Sequence, residues 1–518
     1  MRKNTFFLTV FLTVTLLVAT SALAVTFTVN STLDEPDLNV NDGICSSTLS
    51  GKCTLRAAVM QANVVNVDTT ILVPSGIYIL TIPPIGLDGP ETGDLNLTTP
   101  TIGSPVITII GAGFGETIID GNQLDRVFSI PALRRASISG VTIRNGSISG
   151  LGGGIYNGGT LTVNTSTISG NRSNYGGSVY NAGTLTVNQS TISGNNQSLF
   201  GGGGVYNFGT LTLSQSTISG NRSGYGGGIY NNGLLTVSNS TISQNGANTD
   251  GGGIYNAVGT ANIYNTSIVF NGADADADPN GGSGGGVYNL AGATFNLRNT
   301  LVAGNNVSGL PVYDDCTGIL NSYGRNLFYL VVGCTVNTVS GSWAYLNDLN
   351  KLGLLQNNGG PTWTYAILSG SNAIDGGDPV QGCIGPDSLP LATDQRGVAR
   401  VVGAGCDIGA FEYGAQVDQS IQFGPVSNKT LTDSPFVITA TSSSDLPVDF
   451  STNTPYVCTV TGGPLLPGVS SATIVLIHAG TCTLVAQQPG NQIFNPAVAV
   501  TQTFKVTSNN TFLPSIRR

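Results

Sequence analysis

Between Gly152 and Asn171, aliphatic residues fall at alternate positions of three short runs: Ile155, then Leu161 and Val163, then Ile168. Tyr156 and Thr162 take the opposite phase. Side chains alternate faces along an extended strand, so the pattern predicts three short β-strands per coil, aliphatic faces inward. The glycines between the runs permit positive φ and close backbone approach at corners. The pattern then repeats. Tyr156, Tyr180, Tyr206, Tyr230, Tyr255 and Tyr288 follow one another at 24, 26, 24, 25 and 33 residues, each preceded by glycines and followed by asparagine. A second motif, Ser166-Thr167-Ile168-Ser169-Gly170-Asn171, keeps step with the first. A period in this range without helical spacing predicts an all-β, stacked solenoid.

One such coil cannot bury its own apolar face, so coils must stack about 4.8 Å apart and set equal residues above one another. Asn157, Asn181, Asn207, Asn231, Asn256 and Asn289 are expected to form one ladder, and Asn171, Asn195, Asn221, Asn245 and Asn271 another. An amide both donates and accepts, which suits it to that role. Less regular strands at 71–80, 106–111, 117–121 and 137–146 extend the stack upstream, and 293–301 and 323–328 extend it downstream. About ten coils give a rod on the order of 50 Å long. Open sheet ends invite edge-to-edge association, so caps are expected at both. Residues 25–66, with a helical stretch at 53–63, suit one end, and 348–413 the other. After Gly414 the coil period stops, and alternating segments between turns over 420–506 predict a small β-sandwich. The expected division is a signal segment 1–24, N-terminal cap 25–66, solenoid 67–347, distal region 348–414, sandwich 415–507 and tail 508–518.

Composition narrows the function. Only 9% of residues are charged, against roughly a quarter in ordinary soluble domains, and the formal charge is −9. With no basic run beyond the first residues, nucleic acid is a poor partner. His478 is the only histidine and sits in an apolar strand pattern, where a satisfied structural role is expected. Arg2 and Lys3, the apolar stretch 6–19 and Ala22-Leu23-Ala24 read as a secretory signal with its cleavage site. The mature chain then has 518 − 24 = 494 residues and no later stretch apolar enough for a transmembrane helix. In an exported chain, eight cysteines suggest disulfides, with neighbours paired as Cys45–Cys53, Cys316–Cys334, Cys383–Cys406 and Cys458–Cys482.

The glycine pairs and Gly-Asn corners resemble right-handed parallel β-helix proteins, especially those with polymorphic outer-membrane-type repeats. Cys53-Thr54-Leu55-Arg56-Ala57-Ala58 is similar to the CSLREA string of a cysteine-containing N-terminal module, with Thr for Ser and Ala for Glu. Leu354-Leu355-Gln356-Asn357-Asn358-Gly359-Gly360-Pro361-Thr362, with Ala373-Ile374-Asp375-Gly376-Gly377, Asp394-Gln395-Arg396-Gly397 and Cys406-Asp407-Ile408-Gly409-Ala410-Phe411-Glu412, resembles a choice-of-anchor C-terminal region. Val457-Cys458-Thr459-Val460 and Ala479-Gly480-Thr481-Cys482-Thr483 resemble a bacterial Ig-like module. The resemblance implies an exported or surface-attached protein and supplies no catalytic residues.

Parallel β-helices also carry polysaccharide lyases and hydrolases, which need carboxylate pairs or a cation with Arg or Lys. From Leu151 to Thr249 there is no Asp, Glu, His, Lys or Cys, and Arg172 and Arg222 are the only charges. Outside that span stand Asp120, Asp125 and Arg126 with Arg144, and Asp314-Asp315 beside Cys316; turn and loop roles are favoured for both groups. Asp274, Asp276 and Asp278 alternate as calcium ligands do, but the glycine and the following Glu of an EF-hand are missing. A solvated acidic loop is the favoured reading, with calcium the one cofactor left open. Asp375, Asp378, Asp394, Arg396, Asp407 and Glu412 concentrate charge in the distal region, where Arg396 is expected to pair with a carboxylate. Calcium or a partner surface is the other reading of that group. The tyrosine row is the candidate ligand surface, for a glycan or a protein, although stacking of the rings on one another is expected to come first. The composite expectation is a secreted, non-catalytic protein of the cell surface or outer envelope, serving adhesion or display. The alternatives are a carbohydrate-active enzyme and a plain spacer for the Ig-like module.

Overall fold

The structure is a computed structural model that describes residues 24–86, 89–100, 103–276, 281–307, 313–380, 382–466 and 468–508. Residues 1–23 of the expected signal segment, the end of the expected tail and Asp278 lie outside the described residues. The chain forms a right-handed parallel β-helix followed by a β-sandwich. Three parallel ladders run the length of the regular coils, each pairing equal positions of successive repeats. Ile155-Tyr156-Asn157 lies on Val179-Tyr180-Asn181, Thr160–Asn164 on Thr184–Asn188, and Thr167–Ser169 on Thr191–Ser193. Ile155, Leu161, Val163 and Ile168 are fully buried, as are Val179, Leu185, Val187 and Ile192 in the next coil. These residues build one continuous core along the axis.

A fourth, shorter parallel ladder joins these three. It contains Arg172–Tyr175, Asn196–Gly201, Arg222–Ser223, Gly246–Ala247, Gly272–Ala273 and Asn306–Val307. Its strands are short and carry no aliphatic alternation, so hydrophobic periodicity gives no sign of them. The chain reaches the next coil through glycine. Gly202 has φ 71°, and a Cβ there would lie 2.5 Å from Val205 O. A Cβ at Gly209 would lie 2.1 Å from Gly183 O of the coil below. Both contacts are impossible for any other residue without moving backbone.

The stack begins with Val25–Thr28, which pairs in parallel with Thr69–Val73. Helix α1 (Leu55–Val64) packs into the core from this end. Thr54, one of the two residues that depart from the resembled string, is its N-cap and accepts a bond from the other, Ala57, through its backbone N–H. Arg56 is buried and paired with Asp34 at 2.7 Å, tying the helix to the preceding loop. The last rung is Gly333–Tyr345, largely exposed and paired with Cys316–Phe328. Residues beyond it run back along the flank of the solenoid. Their anchors are corner amides: Gln215 Nε2 donates to Asp394 O at 3.1 Å, Asn239 Nδ2 to Thr393 O at 2.7 Å, Asn265 Nδ2 to Ile384 O at 2.9 Å and Asn299 Nδ2 to Gly382 O at 2.9 Å. A second apolar cluster forms outside the coils, where Val269, Leu301, Ala303 and Leu327 lie under Tyr365, Ile408 and Phe411.

The C-terminal sandwich has two four-stranded sheets, and Cys458 in one is bonded to Cys482 in the other. The remaining disulfides are Cys45–Cys53, Cys316–Cys334 and Cys383–Cys406. His478 is exposed beyond the end of its strand, stacked on Tyr456 at 4.1 Å with Nδ1 2.7 Å from Tyr456 O. The strand ends at Leu476, which is why the apolar pattern misplaced it. No helix among the described residues is long and apolar enough to cross a membrane.

Amide chains hold the register. Asn157, Asn181, Asn207, Asn231 and Asn256 each donate from Nδ2 to Oδ1 of the next residue in the row, at 2.7 to 2.8 Å, ending on Asn289. All are buried. Replacing Asn207 by Ala removes a donor to Asn231 Oδ1 and Leu234 O and the acceptor of Asn181 Nδ2. A buried polar group left unpaired costs about 1–3 kcal/mol. Asn207→Ala is therefore expected to lower unfolding stability by about that amount in a denaturant titration, while Thr186→Ala on the outer face changes it by under about 0.5 kcal/mol.

Candidate functional site

The six tyrosines form a continuous stack, with ring centroids 5.9, 5.2, 4.7, 5.2 and 5.0 Å apart and planes within 14° of parallel. They are less open than an outward row should be, and Tyr255 is only 9% exposed. The reason is a second aromatic row that leans over the first. Tyr175 stacks on Phe200 at 4.5 Å and meets Tyr206 edge-on at 5.7 Å, and Tyr225 meets Tyr255 edge-on at 5.3 Å. Arg126 closes one end, 5.6 Å above the Tyr156 ring. Burial, and then the neighbouring phenols, push the Tyr206 hydroxyl up to about 12, and Asn232 Nδ2 donates to it at 3.1 Å. The stack thus offers ring edges and hydroxyls, with little open ring face.

The carboxylates singled out along the solenoid are engaged in structure. Asp120 accepts from Asn122 N, Arg144 Nε and Asn145 Nδ2 at 2.8 to 3.0 Å. Burial pushes its carboxyl up, and these bonds outweigh the push, leaving it below the usual range. Asp125 accepts from Asp94 N at 3.2 Å, and Asp94 pairs with Arg126 at 2.6 Å. Asp315 is fully buried and terminates the second amide chain, which runs from Asn171 through Asn195, Asn221, Asn245, Asn271 and Asn305. Its two oxygens accept from Asn305 N and Nδ2 and from Tyr329 N and Leu330 N, at 2.8 to 3.0 Å. Burial still pushes it up to about 7. As an acceptor-only group, a carboxylate suits the end of a chain of donating amides. Asp274 is buried at the corner and Asp276 is exposed, so the two point into different surroundings. Among the described residues no three His, Cys, Asp or Glu side chains are grouped to hold a metal ion.

In the flanking segment Arg396 binds Asp394 at 2.8 Å, donates to Glu412 O and Ala415 O, and lies 3.7 Å over the Phe411 ring. Asp375 accepts from Ala404 N and Gly405 N at 2.9 Å, and Asp407 accepts from Asp375 N at 2.7 Å. Asp378 accepts from Val380 N at 2.9 Å. Glu412 accepts from Val402 N and Asp407 N at 3.0 Å. These charges fasten loops that contain little regular structure.

Two features were missed by reasoning from the sequence. The first serine of the second motif forms its own row: the backbone N–H groups of Ser166, Ser190 and Ser216 donate to the next serine hydroxyl at 3.1 to 3.2 Å. Asp250 and Asp314 also come together, holding Ser283 N at 2.9 Å and Gly284 N at 2.7 Å. Burial raises both, and Asp314 repels the charge of Asp250 further. Nothing in the local pattern marks this pair, because the repeat insertion at 271–285 hides their common register.

No protein-family model matches the chain, and no curated protein does. Among solved structures, the crystal structure of pectate lyase Pel9A aligns with a TM-score of 0.42 at 14% identity, over 76% of this chain and 97% of that one. That likeness is too loose to carry residues or activity across.

The buried acids have a shared consequence for pH. Burial raises Asp315 to about 7, Asp407 to about 6 and Glu412 to about 7. The folded state therefore binds more protons than the unfolded chain between the ordinary carboxylate range and about pH 7. Their contribution is complete below that range and is lost as pH rises through 6 to 7. The urea midpoint is expected to be lower at about pH 7.5 than at about pH 5; a midpoint that rises over this window would contradict the assignment.

Proposed function

We propose that this is an exported, non-catalytic recognition protein of the cell envelope, in which the solenoid displays a surface and the sandwich extends it. The observation that carries this reading is the allocation of charge. The carboxylates of Asp120, Asp125 and Asp315 are consumed by corners and ladder ends, while the open surface of the regular coils carries Thr, Ser, Asn and Tyr with Arg172 and Arg222 and no carboxylate before Asp250. Four disulfides support maturation in an oxidising compartment. The resemblances to polymorphic outer-membrane-type, choice-of-anchor and Ig-like modules support surface association, with a glycan or an envelope protein as partner. Binding of the purified mature protein to intact cells or isolated envelopes tests this. Saturable binding is expected, and its absence counts against the reading.

A carbohydrate-active enzyme is the second reading, and the adjacent, raised carboxylates of Asp250 and Asp314 favour it. Their engagement with Ser283 and Gly284 favours a structural role. A depolymerisation screen over neutral and uronate polysaccharides is expected to show no activity. Activity that falls more than about 100-fold in Asp250→Asn or Asp314→Asn would instead establish acid–base catalysis there.

A further inference from the structure

We propose that the groove between the third ladder and the flanking segment is a binding site for an uncharged oligosaccharide. The inference deepens the recognition reading and rests on it. The groove has a volume of about 490 Å³, within the roughly 300–1,000 Å³ of small-ligand sites. Its floor is the outer face of successive rungs, Thr167 and Thr191 with Ser193 and Ser219, and the buried Thr217, its hydroxyl already bonded to Trp363 O and Gln395, bounds it. Trp363 stands at one wall and Phe114 at another. None of the described residues lining it is charged.

The groove opens where the flanking segment ceases to cover the outer face of this ladder. On later rungs it presents Val269, Leu301 and Ala303, which the flanking segment covers. On the Thr241 and Thr217 rungs it is hydroxylic and still covered, with Thr241 and Thr217 bonded to Gln395 and Trp363 O, and on the Thr191 and Thr167 rungs the covering has ended and the hydroxyls are open. Trp363 marks that boundary. Its side chain is 56% exposed, although it lies between Thr362 and Thr364, which are 2% and 0% exposed. Its backbone is pinned: Trp363 O accepts from Thr217 Oγ1 at 2.7 Å and Gln395 Nε2 at 3.2 Å, and Thr362 Oγ1 donates to Gln215 O at 2.9 Å. With the backbone fixed, a ligand has only the two side-chain torsions of the indole left to order, a small entropy cost for so large a contact surface.

The lining chemistry selects the ligand class. Hydroxyls that rotate to donate or accept match a polyhydroxylated molecule. An indole face matches the apolar face of a sugar ring, and its N–H adds one donor. A charge-free lining offers nothing to a uronate or a phosphate. Hydroxyls repeating about every 4.8 Å along the floor favour a linear chain lying along the axis over a single compact ligand.

The test uses the full mature protein with a panel of neutral and uronate oligosaccharides, read by calorimetry and tryptophan fluorescence. A neutral oligosaccharide is expected to bind and to shift the Trp363 emission. Trp363→Ala should weaken binding roughly tenfold or more without lowering the unfolding temperature, because the side chain is exposed. Thr191→Arg, which fills the groove from its floor, should do the same, while Tyr206→Ala on the tyrosine stack should leave binding unchanged. The inference is overturned if no neutral oligosaccharide binds, if only uronates or peptides bind, or if both groove variants bind as the native protein does. Envelope binding that survives both groove variants would remove this site and leave the recognition reading standing. Cleavage of the bound sugar would remove the recognition reading and keep the site.

Discussion

Each coil is too thin to bury its own aliphatic residues, so the fold depends on every coil finding the next one in register. Hydrophobic contact alone does not set that register, because aliphatic side chains slide over one another at little cost. The buried amides do set it. Each asparagine of a row donates to the next and accepts from the previous one, and a shift of one residue would leave the whole buried row unpaired. Because every bond points the same way, the chain is polarised along the axis and needs an acceptor at its last step. Asp315 provides it for one row, and the carbonyls of Ala293 and Ile319 provide it for the other.

This constraint explains where charge is found. Buried charge inside the repeats would break equivalence between coils, so apart from the exposed Arg172 and Arg222 the ionised groups gather where the repeat begins, ends or is interrupted. Asp34 with Arg56, and Asp94 with Arg126, secure the first coils. Asp250 and Asp314 hold the corner beside the long insertion, and Arg396 with Asp394 fastens the flanking segment. What remains for recognition is the outer surface between these points: hydroxyls, amides and aromatic rings.

The three main ladders, the buried aliphatic face and the first amide row were legible because they repeat, and repetition turns a weak local pattern into a strong one. Equal spacing marked Tyr206 as a stacked ring, but the cover from Tyr175, Phe200 and Tyr225 could not be seen, since Tyr175 and Phe200 belong to strands with no periodic signal and Tyr225 lies just beyond one. The path of the flanking segment was also hidden. It is recorded in residues such as Gln215 and Asn239, whose left-handed backbone (φ 46° and 44°) turns one corner and whose amides reach a segment more than a hundred residues away. Asp315 looked like half of an acidic pair because its partners, Tyr329 and Leu330, come from the next turn of chain.

Excision of one complete coil tests the register account most directly. Removing residues 156–179, that is 180 − 156 = 24 residues, brings Ile155 to Tyr180 and restores every ladder one rung shorter. The account predicts a folded protein with a native-like sheet signal in circular dichroism and a single unfolding transition. Removal of 156–167 alone, which deletes the first two strands of a coil and throws the remaining half out of step with its neighbours, should abolish that transition for the solenoid. Loss of cooperative unfolding in the whole-coil variant, as complete as in the half-coil one, would contradict it.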